Sequence, residues 1–467
     1  LPGGARVSPR RLLRSRFLKD SAILQASGGL TAVMQLASSA VLAKVIGEHL
    51  QGIYITALSL YGAVFMLLNT GVVQAAVTQI AAAAAREQID KVASWLAFLV
   101  KIYALGGLFL LAVGGWFLPS LGTFFADDRH VGVLAWWLAL TPLLELPRVV
   151  AYTTFQASRR MADLARLELG TELARLVLVT AGALTTRDAF GPILGTVAST
   201  AVGSLLGIAL YRRAAAAQEH KLPGLRLILA RVRDVPIRRG LHLGLRIGAL
   251  RSLDAFAFTL LPPLFIQLAG RMAGNTQTDA YVTYFRVAQS IVKIPVIALQ
   301  GVSRTALPAL SKLAGLRDAE GFRRNFLKVT LWSGVITATG VVATLLPIPY
   351  VVPIFWRESY AAPVARLAAI LALGYGVIGF TVALDSFYIL ANRLRVAIVF
   401  STIFMLVSFP TQFLLIRWLP ETGAAWGMVL NFSWFVVHLT YIHLYFRRGE
   451  HLRAFGAAPA PERPAEA

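Results

Sequence analysis

Apolar runs of roughly 20–30 residues, separated by short polar stretches, recur along the chain from about residue 20 to residue 446. A helix rises 1.5 Å per residue, so each run is long enough to cross a hydrocarbon layer about 30 Å thick. Set against the loop signals, the pattern predicts spans near 20–46, 52–84, 93–118, 131–158, 165–187, 190–211, 240–270, 279–303, 328–348, 361–392, 395–417 and 422–446. The expected fold is therefore an all-α integral membrane protein of about 12 transmembrane helices.

Composition agrees with this pattern. Hydrophobic residues make up 57% of the chain and charged ones 15%, where soluble domains have about 45–50% and about 25%. Mean hydropathy is +0.66. Cysteine is absent, which excludes disulfides, thiol nucleophiles and cysteine metal sites. The seven histidines lie near span ends without paired ligand spacing, so no metal is expected. No nucleotide-binding motif occurs, and the chain is read as a transporter with no cofactor and no catalytic residue.

The formal charge is +22, which in a soluble protein points to nucleic acid. Here the distribution explains it. Of 45 basic residues, 31 fall in the termini and the even-numbered loops. Six fall in the odd-numbered loops, one in each: Lys44, Arg129, Arg187, Arg271, Arg357 and Arg417. Lys and Arg concentrate in cytoplasmic loops, so both termini are expected in the cytoplasm, the span count is even, and no nucleic-acid partner is needed.

Residues 1–19 form a basic cytoplasmic segment. The apolar run behind it is too long for a signal peptide, so an uncleaved first helix is expected. Residues 20–211 and 240–446 form two six-helix halves. Between them, 212–239 interleaves Leu222, Leu225, Leu227, Ile228 and Leu229 with Arg226, Arg231 and Arg233. That suits an interfacial amphipathic helix, or else a plain basic loop. The tail, 447–467, ends in an Ala/Pro/Glu stretch expected to be disordered.

The halves resemble each other. Ile53-Tyr54-Ile55-Thr56 matches Ala280-Tyr281-Val282-Thr283, and Gly71-Val72 matches Gly301-Val302. Phe124 to Asp128 matches Ile354 to Glu358, and Gly191 and Gly195 match Gly423 and Gly427. The offsets run only from 227 to 232. Six spans per half make the repeats parallel, related by an axis along the membrane normal, and transporters built this way bind substrate at the repeat interface.

With two such halves, the Gly52-Ile53-Tyr54 opening of the second span and the Gly423-Ala424-Ala425 opening of the twelfth, the chain resembles the polysaccharide-transporter (O-antigen flippase) family. That family belongs to the multidrug/oligosaccharidyl-lipid/polysaccharide exporter superfamily. The resemblance covers roughly residues 17–446. It implies a flippase that moves an anionic polyprenyl-pyrophosphate-linked oligosaccharide across the bacterial cytoplasmic (inner) membrane by alternating access. The product would serve lipopolysaccharide, O-antigen or exopolysaccharide synthesis, alongside a polysaccharide polymerase and chain-length machinery. It also implies a central cavity lined by the first, second, seventh and eighth spans.

Charge inside the spans points the same way on independent grounds. A charged side chain at a helix centre costs about 2.5–3.5 kcal/mol on insertion scales, so it pairs, snorkels or faces a wet cavity. Glu145 and Arg148, Glu172 and Arg175, and Arg251 and Asp254 are each three apart and can meet on one helix face. Pairing and a substrate role both remain open for them. Arg366 lies near the outer end of its span, within snorkelling reach. Lys101, Arg246, Arg286 and Lys293 have no acid at helical spacing.

Arg286 and Lys293 are seven residues apart on one face, about 10 Å and about 21 Å below the outer end of their span. Together with Arg246 and Arg251 on the preceding span they form a ladder of cations for a phosphate-bearing headgroup, with Lys101 as a fifth. Arginine suits this because its planar fork matches phosphate oxygens. The expected polar lining is Gln25, Gln35, Asn69, Gln74 and Gln289, although such residues also glue helices together. Asp254, Asp385 and Glu145 are the candidates for ion coupling.

Prolines interrupt spans four (Pro142, Pro147), seven (Pro262, Pro263) and eight (Pro295), where they kink the helix for transport or for packing alone. The alternatives are a cation-coupled multidrug antiporter of the same superfamily, whose cavity should carry unpaired acids, and a peptidoglycan-precursor flippase. A polysaccharide polymerase or ligase would need a large extracytoplasmic loop, and the longest odd-numbered loops run only about 119–130 and 347–360.

Overall fold

The computed structural model describes residues 16–68, 71–217, 222–238, 240–241, 256–298, 310, 313–314 and 317–456. Helices α1 (Arg16–Val45), α2 (Gly47–Leu68), α3 (Val72–Ala85), α4 (Ile89–Ala126), α5 (Arg129–Leu138), α6 (Thr141–Ala157), α7 (Met161–Thr186) and α8 (Phe190–Ala216) build the first half. The connecting segment contains α9 (Leu225–Arg231). The second half follows a π turn (Phe256–Leu260) with α10 (Leu261–Met272), α11 (Thr278–Val292), α12 (Ile294–Ala298), α13 (Ala319–Leu345) and α14 (Ile348–Phe355). It ends with α15 (Glu358–Ile378), α16 (Leu384–Leu390), α17 (Leu394–Trp418), α18 (Gly423–Ser433), α19 (Phe435–Arg447) and α20 (Glu450–Gly456).

These helices form twelve spans in two halves. Among the described residues, eight are long and apolar enough to cross a membrane by length and composition. The other four each carry a local feature. Span two divides into α2 and α3 before Gly71, whose φ of 66° no helix accommodates. Span five is α7, whose Glu168, Glu172 and Arg175 lower its hydropathy. Span seven carries the π turn ahead of Pro262 and Pro263. Span eight breaks at Lys293, between α11 and α12, because Pro295 has no N–H to continue the ladder.

Small residues set the closest crossings within each half. Gly191 at the start of α8 packs against the backbone of Gly182 on α7, and Gly423 at the start of α18 packs against Leu415 on α17. A Cβ at either position would overlap backbone atoms. The repeated glycines of the sequence therefore close the same hairpin in both halves.

Among the described residues, the apolar core is continuous at one end of the molecule and divided at the other. At the end bearing the odd-numbered loops, Leu42, Ile53, Leu134 and Ile193 join Val282, Phe285, Val352 and Tyr360 in a single cluster spanning both halves. Toward the even-numbered loops each half keeps its own cluster, around Phe98, Phe155 and Tyr211 in the first and around Phe326, Phe387 and Phe446 in the second. Two bodies joined at one end and parted at the other leave a space between them.

Candidate functional site

That space is a cavity of about 600 Å³ between the halves. Its lining on α1 runs from Leu24 to Leu42, about 27 Å of helix. Gln35, Ser38 and Ser39 contribute from α1, Gln51 and Tyr54 from α2, and Arg286, Gln289, Ser290 and Lys293 from α11 and its end. Thr259 of the π turn and Ile297 of α12 also line it from the second half.

The joined end roofs the cavity with polar contacts. Gln51 Nε2 donates to the Ser39 carbonyl at 3.2 Å and to Ser39 Oγ at 3.1 Å. Tyr360 Oη donates to Gln51 Oε1 at 3.2 Å, and Trp356 Nε1 to Ser39 Oγ at 3.3 Å. Beside this, Asp279 at the start of α11 meets His49 of the first half at 2.9 Å and accepts from Gln267. Gln267 Nε2 also donates to Thr56 Oγ1 at 3.2 Å. Thr283 Oγ1 donates to the Glu48 carbonyl at 2.8 Å.

Two latches at the joined end follow the internal repeat. Arg271 pairs with Asp127 at 3.1 Å. The corresponding contact uses cations on both sides: Arg357 Nη2 donates to the Lys44 carbonyl, and Lys44 Nζ to the Ile354 carbonyl, each at 2.8 Å. Asp127 and Arg357 occupy equivalent repeat positions, so one latch is an ion pair and its counterpart brings two like charges together.

Within the cavity, Arg286 Nη1 donates to Gln289 Oε1 at 2.7 Å and to the Thr259 carbonyl at 3.4 Å. Gln289 Nε2 donates to the Phe258 carbonyl at 2.9 Å. Lys293 is exposed at the break between α11 and α12. Among the described residues, neither Arg286 nor Lys293 takes part in an ion pair. The other lining cations do: Arg148 pairs with Glu145, and Arg175 with Glu172 at 3.2 Å. Glu168 faces the cavity with Glu172 and accepts a bond of 3.3 Å from Ser27 Oγ.

The structure thus gathers Arg286, Lys293, Gln289 and Gln35 into one site, with Glu145 one contact behind Arg148. Gln25 is not part of the lining. Lys101 is not a cavity cation: its ammonium donates to the carbonyls of Arg233 and Val235 at 2.9 and 3.0 Å. It ties α4 to the segment after α9, where Arg231 also reaches Asp90 at 2.6 Å. A lysine inside a span thus reaches polar backbone instead of facing the cavity. Arg366 pairs with Glu421 at 2.7 Å rather than reaching solvent alone. Arg246, Arg251, Asp254 and Asn69 lie outside the described residues, as do the side chains of Gln74 and Asp385.

The first, second, seventh and eighth spans line the cavity, and the fourth and fifth do too, through Arg148, Glu168, Thr171, Glu172 and Arg175. The signal for α7 was present in the spacing. Positions 168, 172 and 175 follow the 4-and-3 rhythm of one helix face.

A family model described as "Polysaccharide biosynthesis protein" matches residues 17–314. No curated protein matches the chain. Among solved structures, the chain is similar to an inward-facing multidrug resistance MATE family transporter of the MOP superfamily, with TM-score 0.71 and 16% identity over 91% of this chain and 98% of that one. An outward-facing MATE transporter of the same superfamily aligns with TM-score 0.63 and 16% identity over 95% and 98%. A MATE transporter of Vibrio cholerae aligns with TM-score 0.61 and 16% identity over 92% and 98%. At these identities the likeness is one of fold.

Proposed function

The chain belongs to the polysaccharide biosynthesis protein family, and from that premise we propose that it is an exporter that flips an anionic polyprenyl-pyrophosphate-linked oligosaccharide across the bacterial inner membrane. The observation that carries this reading is the pair Arg286 and Lys293, two cations on the cavity wall that no carboxylate among the described residues neutralises. A charge inside a span without an ion-pair partner is held by facing a wet cavity, and a pyrophosphate entering that cavity supplies the missing anion. Arg286 offers the flat fork that matches phosphate oxygens. Lys293, about 10 Å along the helix, offers a point charge at a backbone break. Gln35 and Ser38 offer donors and acceptors for sugar hydroxyls.

In this reading the joined end is periplasmic, the divided end cytoplasmic, and the structure represents the state that loads substrate from the cytoplasmic leaflet. Export requires the roof over Ser39 and Gln51 to part while the two lower cores close. A second reading, a cation-coupled drug antiporter, is favoured by Glu168 and Glu172 on the cavity wall. Deletion of the gene separates the two. A flippase predicts loss of a surface polysaccharide and accumulation of its lipid-linked repeat units on the cytoplasmic leaflet. Unchanged polysaccharide with new sensitivity to cationic drugs reverses the order of the readings.

A further inference from the structure

We propose that Pro262 and Pro263 are positioning residues for the substrate-binding Arg286, acting through the backbone carbonyls that they leave without helical donors. The inference rests on the reading of Arg286 as a headgroup ligand. In a regular helix the N–H of residue 262 bonds the carbonyl of residue 258, and that of 263 bonds the carbonyl of 259. Proline has no N–H, so both carbonyls lose their helical donor. Freed backbone groups at membrane depth are satisfied by neighbouring helices. Here the two released acceptors are the ones used by α11: Phe258 accepts from Gln289 Nε2 at 2.9 Å, and Thr259 from Arg286 Nη1 at 3.4 Å.

The first of these bonds sets the second residue's chemistry. With its nitrogen committed to the Phe258 carbonyl, the Gln289 amide must turn its oxygen the other way, and that oxygen accepts from Arg286 at 2.7 Å. The reversed amide would face a carbonyl with its own oxygen, which cannot donate. Among the described residues, Arg286 is therefore oriented by neutral acceptors, which leave its charge available to an anion. A carboxylate in the same place would hold the guanidinium equally well and cancel that charge. The turn bearing the two carbonyls is itself anchored, because the Phe258 ring stacks on Phe432 with centroids 4.9 Å apart. Its π geometry lies immediately ahead of the proline pair, as π-bulges do at many functional sites.

Replacing Pro262 by alanine removes the ring and adds an N–H. Replacing it by the hydroxy acid lactate, through nonsense suppression, removes the ring and adds none. The two variants therefore separate the missing donor from any kink that the ring imposes. In proteoliposomes with a polyprenyl-pyrophosphate-linked disaccharide as probe, Pro262→Ala is expected to raise the half-saturating concentration about tenfold, the scale of a bond to a charged group. Its maximal rate should hold, and the lactate variant should stay within about twofold of the parent. Equal behaviour of the two variants, whether both fail or both work, overturns the proposal.

A second measurement does not depend on the substrate. Gln289→Leu should lower the thermal midpoint of the purified parent and of the lactate variant by more than that of Pro262→Ala, where the N–H already occupies the Phe258 carbonyl. Absence of that coupling overturns the positioning role whatever the transport result. Coupling present while Arg286→Ala leaves flipping intact upholds the positioning role and removes the headgroup reading.

Discussion

Gly52 is the point at which a single methyl group tests whether the roof opens during transport. It lies on α2 where that helix crosses the start of α11, and a Cβ built there would overlap the Asp279 carbonyl and stand 2.8 Å from the Asp279 Cα. Carbon atoms prefer a separation of about 3.5–4.0 Å. Gly52→Ala therefore forces the two helices apart by about 1 Å wherever they meet, through the contact that also holds the Asp279, Gln267 and Thr56 bonds. Overpacking on this scale costs about 1–3 kcal/mol. If only the state with a closed roof bears that cost, the equilibrium shifts roughly 5- to 150-fold toward the state with an open roof. The chain contains no cysteine, so Ser290→Cys supplies a single thiol on the cavity wall. A membrane-impermeant maleimide added from the periplasmic face should label that thiol at least about fivefold faster in Gly52→Ala than in the parent. A lowered thermal midpoint with an unchanged labelling rate would show that α2 and α11 stay in contact throughout the cycle, and the reasoning would fail.

Arg286→Ala and Lys293→Ala should each abolish lipid-linked export at normal protein level, with Arg286→Lys recovering part of it because charge survives and the fork does not; a well-expressed double variant that still exports would end the cationic-site reading. Arg357→Asp gives Lys44 a carboxylate neighbour, as Asp127 gives Arg271, and should slow periplasmic labelling of Ser290→Cys about two- to fivefold in a salt-sensitive way. Lys101→Met removes two bonds to the Arg233 and Val235 carbonyls, so the linker should become more sensitive to protease while export per folded molecule is unchanged. Reporter fusions at Arg213, Arg317 and Arg447 should read cytoplasmic and those near Asp127 and Glu358 external; an external C-terminal fusion would mean a miscounted span.

Span positions, the internal repeat and the placing of Arg286, Gln289 and Lys293 on one face were legible in the amino-acid sequence, because each depends on local properties. Hydrophobic length, charge asymmetry between loops, and the 3.6-residue period all act within a few turns of helix. The proline pair was legible as an interruption for the same reason. The partners of these residues were not. Lys101 has no acid at helical spacing, yet its partners are carbonyls more than 130 residues away. Arg366 finds Glu421 across 55 residues. The roof joins Gln51 to Tyr360 across 309. Such contacts depend on how each helix is rotated about its axis and where it crosses its neighbours, and packing of the whole bundle decides both. The sequence alone determined that this chain crosses the membrane about twelve times and carries cations where lipid should be. Only the tertiary structure decided which of the described cations are neutralised, because charge pairing acts over a few ångströms and depends on which helices lie side by side.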